Sequence, residues 1–347
     1  MSNRNLYLVG SVPGKDESEV FSTLSKAFGQ RLRYVPDGET GERLNWVAWL
    51  EPIFANSPAL TQSEELFKLH DSATGFRRYK LKPGKTVNDV VFDNLFYADV
   101  AKKSYATFVK LKAEGKIHPT TKFQIDLVPA QSVLWLFLVD ELQMPLDPVF
   151  NEALKLEVDK ITATLPHDDI AIQFDVASAV FARLHRGVAN GYGATKAEML
   201  ERFSQILADL SNRVPASIDL LIHLCYGDNN HKHSVEPIDM GDMVQFTHHY
   251  VAKLKRPLQL IHMPVPRDRS DEAYFAPLKN LKLPKGCELC LGLVHYTDGV
   301  EGTLARMKTA RKFVEDFSIG TECGFGRRDP ATIPELLRIH DTASRAS

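Results

Sequence analysis

In the stretch LLIHLCYGDNN, Leu220 to Asn230, a histidine and a cysteine stand two apart inside an apolar run. Residues two apart on a strand project to the same side, so His223 and Cys225 share a face while Leu224 takes the other. A second cysteine, Cys323, ends a later apolar run, DFSIGTECGFG. If both runs are strands that finish at one rim, an imidazole and two thiolates meet there. That donor set suits zinc and is too soft for magnesium or calcium. Three protein ligands leave a fourth position open or held by a displaceable group, which is the catalytic arrangement. The same residues also suit a plain core strand. Cysteine is among the most buried residue types, and a buried histidine needs only a hydrogen-bond partner. A further cysteine on a separate run weighs toward the metal.

The ligands need a scaffold, and the chain supplies a regular one. Short apolar runs recur: NLYLVGSVP from Asn5, RLRYVPDG from Arg31, KFQIDLVPA from Lys122, DIAIQFDVA from Asp169, IDLLIHLCYGD from Ile218, PLQLIHMPVP from Pro257, ELCLGLVHYTDG from Glu288 and DFSIGTECGFG from Asp316. Runs apolar on both faces mark parallel strands buried under helices. Helical patterns lie between them. Thr195 and Glu198 have the spacing of a capping box, and Met199, Leu200, Phe203, Ile206, Leu207 and Leu210 make one apolar face. Leu304, Met307, Phe313, Val314 and Phe317 repeat similarly after the seventh run, and residues 91–113 read as helical. Eight strands alternating with helices predict an α/β fold, a (β/α)8 TIM barrel. The gap from Gly38 to about Thr120 exceeds a standard unit and predicts a long helical insertion or lid after strand 2. No repeat or linker divides the chain, so residues 1–347 read as a single domain.

In such a barrel the chemistry sits at the C-terminal strand ends. The second run ends in PDGETGER, which offers Asp37, Glu39 and Arg43 for substrate binding; the same letters also make a good turn. The third carries Asp126, the fourth Gln173 and Asp175, and the sixth His262. The seventh brings His295 and Asp298, either of which could protonate a leaving group. Arg327 and Arg328 follow a glycine-rich turn after the eighth, where an anion could bind, although solvated arginine fits as well. Cys287 and Cys290 have CxxC spacing, but no second CxxC exists and Cys290 lies inside the seventh run, so both read as structural. His231 and His233 on a polar loop, and His248 and His249 on a helix, read as solvent-exposed.

The chain has 347 residues, 44% hydrophobic and 25% charged, with formal net charge -2. That composition gives a soluble globular protein with a large core. No basic block exists to bind nucleic acid or a membrane surface. The opening MSNRNLYLVGSVPG lacks the pattern of a signal peptide, and no run reaches the length of a membrane helix. Four cysteines without an export signal are expected free or metal-bound in a reducing cytoplasm. The oligomeric state is not encoded in any of these features.

Taken together, these stretches resemble cobalamin-independent methionine synthase. HLCYGDNN is similar to its His-x-Cys-Tyr motif, IGTECGFGRR to its later Asp-Cys-Gly segment, AIQFDVASA to its IQIDEPA strand, and LVGSVPG to its GSFP-type first strand. The likeness covers most of the chain and only the catalytic C-terminal barrel of that enzyme. It extends to a superfamily with uroporphyrinogen decarboxylase and zinc-dependent alkyl transferases to thiols. The resemblance implies zinc held by His223, Cys225 and Cys323, with Asp175 on the amino group of an acceptor such as homocysteine. It departs in three places. The family's glutamate ligand has no match in LIHMPVPRD, where His262 is the nearest replacement. The Asp-x-His acid becomes VHYTDG, with His295 and Asp298. The Glu-Pro after the amine-binding Asp becomes Val176 and Ala177. The implied activity is a zinc-dependent methyl or alkyl transfer to a small-molecule thiol from an alkyl or methyl donor. The alternatives are a zinc-dependent lyase or thiol alkyltransferase acting on an epoxide, ether or thioether, and a non-catalytic barrel that binds zinc or a small ligand.

Overall fold

The computed structural model describes residues 5–69, 73–228 and 232–346. Its strands in chain order are β1 (Tyr34–Pro36), β2 (Leu60–Phe67), β3 (Phe76–Leu81), β4 (Lys122–Leu127), β5 (Ile170–Val176), β6 (Asp219–Leu224), β7 (Leu260–Pro264), β8 (Glu288–Val294) and β9 (Ser318–Thr321). Seven of them form one curled parallel sheet in the order β1-β4-β5-β6-β7-β8-β9. Seven of the eight apolar runs are these strands. Every residue of β5 is buried, because helices cover one face and the barrel interior lies on the other.

The run from Asn5, expected as a full first strand, pairs only briefly. Leu6 makes a single parallel bridge to Ile319. Tyr7 N donates to Ile319 O at 2.9 Å, and Val12 N to Gly38 O at 2.8 Å. The carbonyls between are taken by side chains instead of a neighbouring strand: Gln124 Nε2 reaches Leu8 O and Val9 O at 3.2 and 2.9 Å, and Gln173 Nε2 reaches Val9 O at 2.8 Å. The segment thus lies between β9 and the end of β1, a barrel-like arrangement.

Along the strands the interior changes character. Tyr7, Val9, Tyr34, Ala171, Leu221, Leu260 and Cys290 form a small buried cluster separate from the larger core. Farther toward the C-terminal ends stand Gln173 and Asp175 on β5, His223 on β6 and His262 on β7, all buried. Asp175 and His223 are register partners, as are His223 and His262.

The segment after β1 differs from the expected helical insertion. It contains a 3₁₀ stretch over Gly41–Leu50, a short helix over Glu51–Ala55, the antiparallel β2–β3 hairpin, and the helix Tyr97–Ala113. The hairpin strands are rich in polar and charged residues, with only Leu60, Ser63 and Tyr79 buried, so no apolar run announces them. Val139 N donates to Tyr79 O at 3.0 Å and fixes the hairpin to the barrel.

Two helix expectations change in detail. Thr195 accepts from Glu198 N at 3.2 Å, but the Glu198 carboxylate reaches Ala194 N, not Thr195 N. The helix after β8 spans Gly299–Ala310 and ends before Phe313, and Leu304 is exposed. Its buried face is instead Thr303, Arg306, Met307 and Ala310. No helix among the described residues is long and apolar enough to cross a membrane.

Candidate metal centre

β6 delivers His223 to the interior, and one more backbone pairing, Cys225 N to Val176 O at 2.9 Å, carries the strand direction on to Cys225. Cys323 follows β9 on a tight turn closed by Thr321 Oγ1 donating to Cys323 O at 2.7 Å. One donor atom each from His223, Cys225 and Cys323 lies within 4.8 Å of the others. The two sulfurs are 3.8 Å apart, and all four cysteines are free.

Each sulfur also receives an N–H. Gly227 N donates to Cys225 Sγ at 3.3 Å, and Arg327 Nη2 to Cys323 Sγ at 3.4 Å. The Cys225 thiol donating to Cys323 holds the Cys323 pKa below the usual thiol value, with the Arg327 charge assisting. The same shared proton, together with burial, pushes Cys225 up. Burial, then the neighbouring His262 and Arg327, keeps His223 neutral. Neutral imidazole and thiolate are the forms that bind a metal.

His262 stands behind His223 and is not among the clustered donors. Its Nδ1 lies 2.8 Å from His223 Nδ1, and its Nε2 lies 3.0 Å from Thr321 O. Both nitrogens are engaged, so the expectation that His262 supplies a fourth ligand does not match its position. Burial lowers its pKa to about 3, which keeps the ring neutral.

The donor group opens on a cavity of about 520 Å³ at the C-terminal strand ends, also lined by Ser11, Glu39, Trp46, Phe76, Phe137, Asp175, Ser178 and Arg327. A second cavity of about 540 Å³ lies across the loop after β6 and holds none of the three donors. In the first, burial and then the Asp175 charge raise Glu39 to about 8. Burial also raises Asp175 to about 7, against the lowering hydrogen bond from Gln173 at 2.7 Å. Gly10 makes room beside them: a Cβ there would stand 2.7 Å from Asp126 Oδ2.

The other sequence candidates fall into three groups. Glu39, Asp175 and Arg327 line the cavity. Asp37, Arg43 and Asp126 lie behind it, around a much smaller recess shared with Glu39. There Asp37 takes Arg43 at 2.8 Å and Ser104 at 2.6 Å. Gln173 is fully buried and braces Asp175 and Val9. His295 and Asp298 do not line the cavity, contrary to expectation. His295 Nε2 donates to Val265 O at 2.8 Å, and Asp298 forms two bonds to buried Arg306 at 2.6 and 2.8 Å.

Two residues were misjudged or missed in the sequence. His233 is not solvent-exposed; it pairs with buried Glu322 and, at 2.9 Å, with Glu236. His231 lies outside the described residues. Trp46 lines the cavity and bonds to Asp175. It does so from a backbone with φ 53°, inside a stretch whose spacing carries no periodic signal.

Among solved structures, the chain is similar to a B12-independent methionine synthase from Shewanella sp. W3-18-1 in complex with selenomethionine. The TM-score is 0.58 at 15% identity, over 95% of this chain and 86% of that one. The two chains share a fold. A putative vitamin-B12 independent methionine synthase from Listeria monocytogenes aligns over 95% of this chain and 87% of its own, with TM-score 0.49 and 12% identity. No protein-family model and no curated protein matches the chain. The Shewanella structure belongs to the family that the sequence motifs resemble, and at 15% identity the likeness shows a shared fold.

Proposed function

We propose that this chain is a single-domain, zinc-dependent transferase that activates a small-molecule thiol for methyl or alkyl transfer. The observation that carries the reading is the spacing of the donors. A tetrahedron with metal–sulfur bonds of about 2.3 Å has an edge of about 3.8 Å, and the Cys225 and Cys323 sulfurs stand 3.8 Å apart with no disulfide between them. With His223 beside them, the donors suit zinc. A zinc ion there would hold an incoming thiol as its thiolate, a nucleophile toward an electrophilic carbon.

The chain's own residues divide the remaining work. Glu39 and Asp175 are acceptors for an ammonium group on the thiol substrate, and Gln173 holds Asp175 in place. Trp46, Phe76, Leu136 and Phe137 make an apolar wall that excludes water and suits the carbon skeleton of an alkyl donor. The Arg327 guanidinium donates to Cys323 Sγ and offsets negative charge on it. The shared fold supports the reading, and the Shewanella structure is a complex with selenomethionine.

The test is elemental analysis followed by turnover. The purified protein is expected to carry one zinc per chain, lost in the Cys225→Ser, Cys323→Ser double variant. Incubated with homocysteine and a panel of methyl and alkyl donors, the parent should yield an S-alkylated thiol detectable by mass spectrometry. Full zinc content in the double variant would overturn the ligand assignment. Zinc without alkylation by any donor would favour a binding barrel over an enzyme.

A further inference from the structure

We infer that His262 is the positioning residue of the centre: it fixes His223 in the tautomer that turns Nε2 toward the metal, and it ties that ligand to the turn that carries Cys323. This inference rests on the zinc reading above.

Three bonds carry it. His262 Nε2 lies 3.0 Å from the Thr321 carbonyl. A carbonyl only accepts, so Nε2 bears the hydrogen. In a neutral ring Nδ1 then presents a lone pair, and it lies 2.8 Å from Nδ1 of His223. His223 must donate at that contact. Its own lone pair is left on Nε2, the atom free to meet the two sulfurs. The tautomer of the ligand is thereby set by the bonds of its neighbour.

The arrangement is rigid for reasons visible in the sheet. His223 and His262 are register partners on adjacent strands, and both are buried, so water does not compete for either nitrogen. Thr321, which accepts from His262 through its carbonyl, donates through its hydroxyl to Cys323 O at 2.7 Å. One series of contacts therefore runs from the Cys323 turn through Thr321 and His262 to His223. The ligands on β6 and after β9 are held at a common spacing by a side chain from β7 that binds no metal itself.

Removing the acceptor leaves His223 two poor options. It can keep its Nδ1 hydrogen buried and unpaired, or move the hydrogen to Nε2, where it blocks the metal. His262→Leu removes the acceptor at similar size. His262→Asn keeps an acceptor close to the original Nδ1 position but does not reach Thr321.

Zinc affinity, read by competition with a chromogenic chelator, is expected to fall on the order of 10–100-fold in His262→Leu and to be restored only in part in His262→Asn, which returns the acceptor but not the tie to Thr321. Nitrogen-15 NMR of the metal-free parent should show His223 protonated at Nδ1, a signature that general loosening of the barrel would not produce. A parent that takes up no zinc overturns both this inference and the reading beneath it. A parent that binds zinc, with His262→Leu within twofold of it or with His223 protonated at Nε2, overturns this inference alone.

Discussion

Glu39 and Asp175 face the same cavity with opposite demands placed on them by folding and by a ligand. Burial holds both near neutrality, at about 8 and about 7, against roughly 4 in an unfolded chain. Between about pH 4 and pH 8 the folded protein therefore keeps protons that the unfolded chain has released, and these two groups lower stability as pH rises through that window. An ammonium ligand needs them ionised. Homocysteine should bind the metal-free protein more tightly as pH rises from about 6 to about 8, releasing protons as it does so. Calorimetry in buffers of differing ionisation enthalpy reads that release, and the deaminated thiol serves as the control. A pH-independent affinity, equal for both thiols, would remove these carboxylates from the amine site. Glu39→Gln should flatten the upper part of the profile.

At the scale of elements, the end of β9 is placed by an absence. β8 and β9 slip in register between Leu291 and Val294, and a Cβ on Gly292 would stand 2.9 Å from Glu322 Cα, 3.0 Å from Pro264 Cα and 3.1 Å from Thr321 O. All three obstacles are backbone, and Pro264 on β7 blocks retreat to the other side. Gly292→Ala should push the β9 end outward, costing about 1–3 kcal/mol and weakening zinc binding because Thr321 and Cys323 move together. Urea titration alongside chelator competition checks both effects, and parent-like values for each would show that the turn has room to spare. Much of this scaffold was legible in the chain. The buried parallel strands announce themselves because helices and interior cover both faces, and His223, Cys225 and Cys323 follow from spacing once those strands end at one rim. The hairpin was not legible, since its strands are largely polar and charged and contain no apolar run. His262 could be placed on its strand but not given its partner, because a sequence does not say which ring nitrogen meets which neighbour. Asp298 reads as a free acid until Arg306, one helical face away, is seen to occupy it.

Across the whole molecule, the similarity to the Shewanella synthase spans 95% of the chain, while the centre itself draws on few and distant residues. Cys225 and Cys323 are 98 residues apart in sequence, and they meet only when β6 through β9 have assembled. An unfolded chain offers no such set of donors. Zinc should therefore act thermodynamically on the entire fold, adding about 2.7 kcal/mol when free metal is a hundredfold above its dissociation constant. Thermal melts in stepped zinc buffers should show the midpoint climbing by roughly a few degrees, and the Cys225→Ser, Cys323→Ser variant should show no climb. A midpoint indifferent to zinc in the parent would mean that the metal is not coupled to folding. Were the melts to show that coupling, metal supply would become a control on abundance: under zinc starvation the native population would thin, and proteolysis would claim what unfolds.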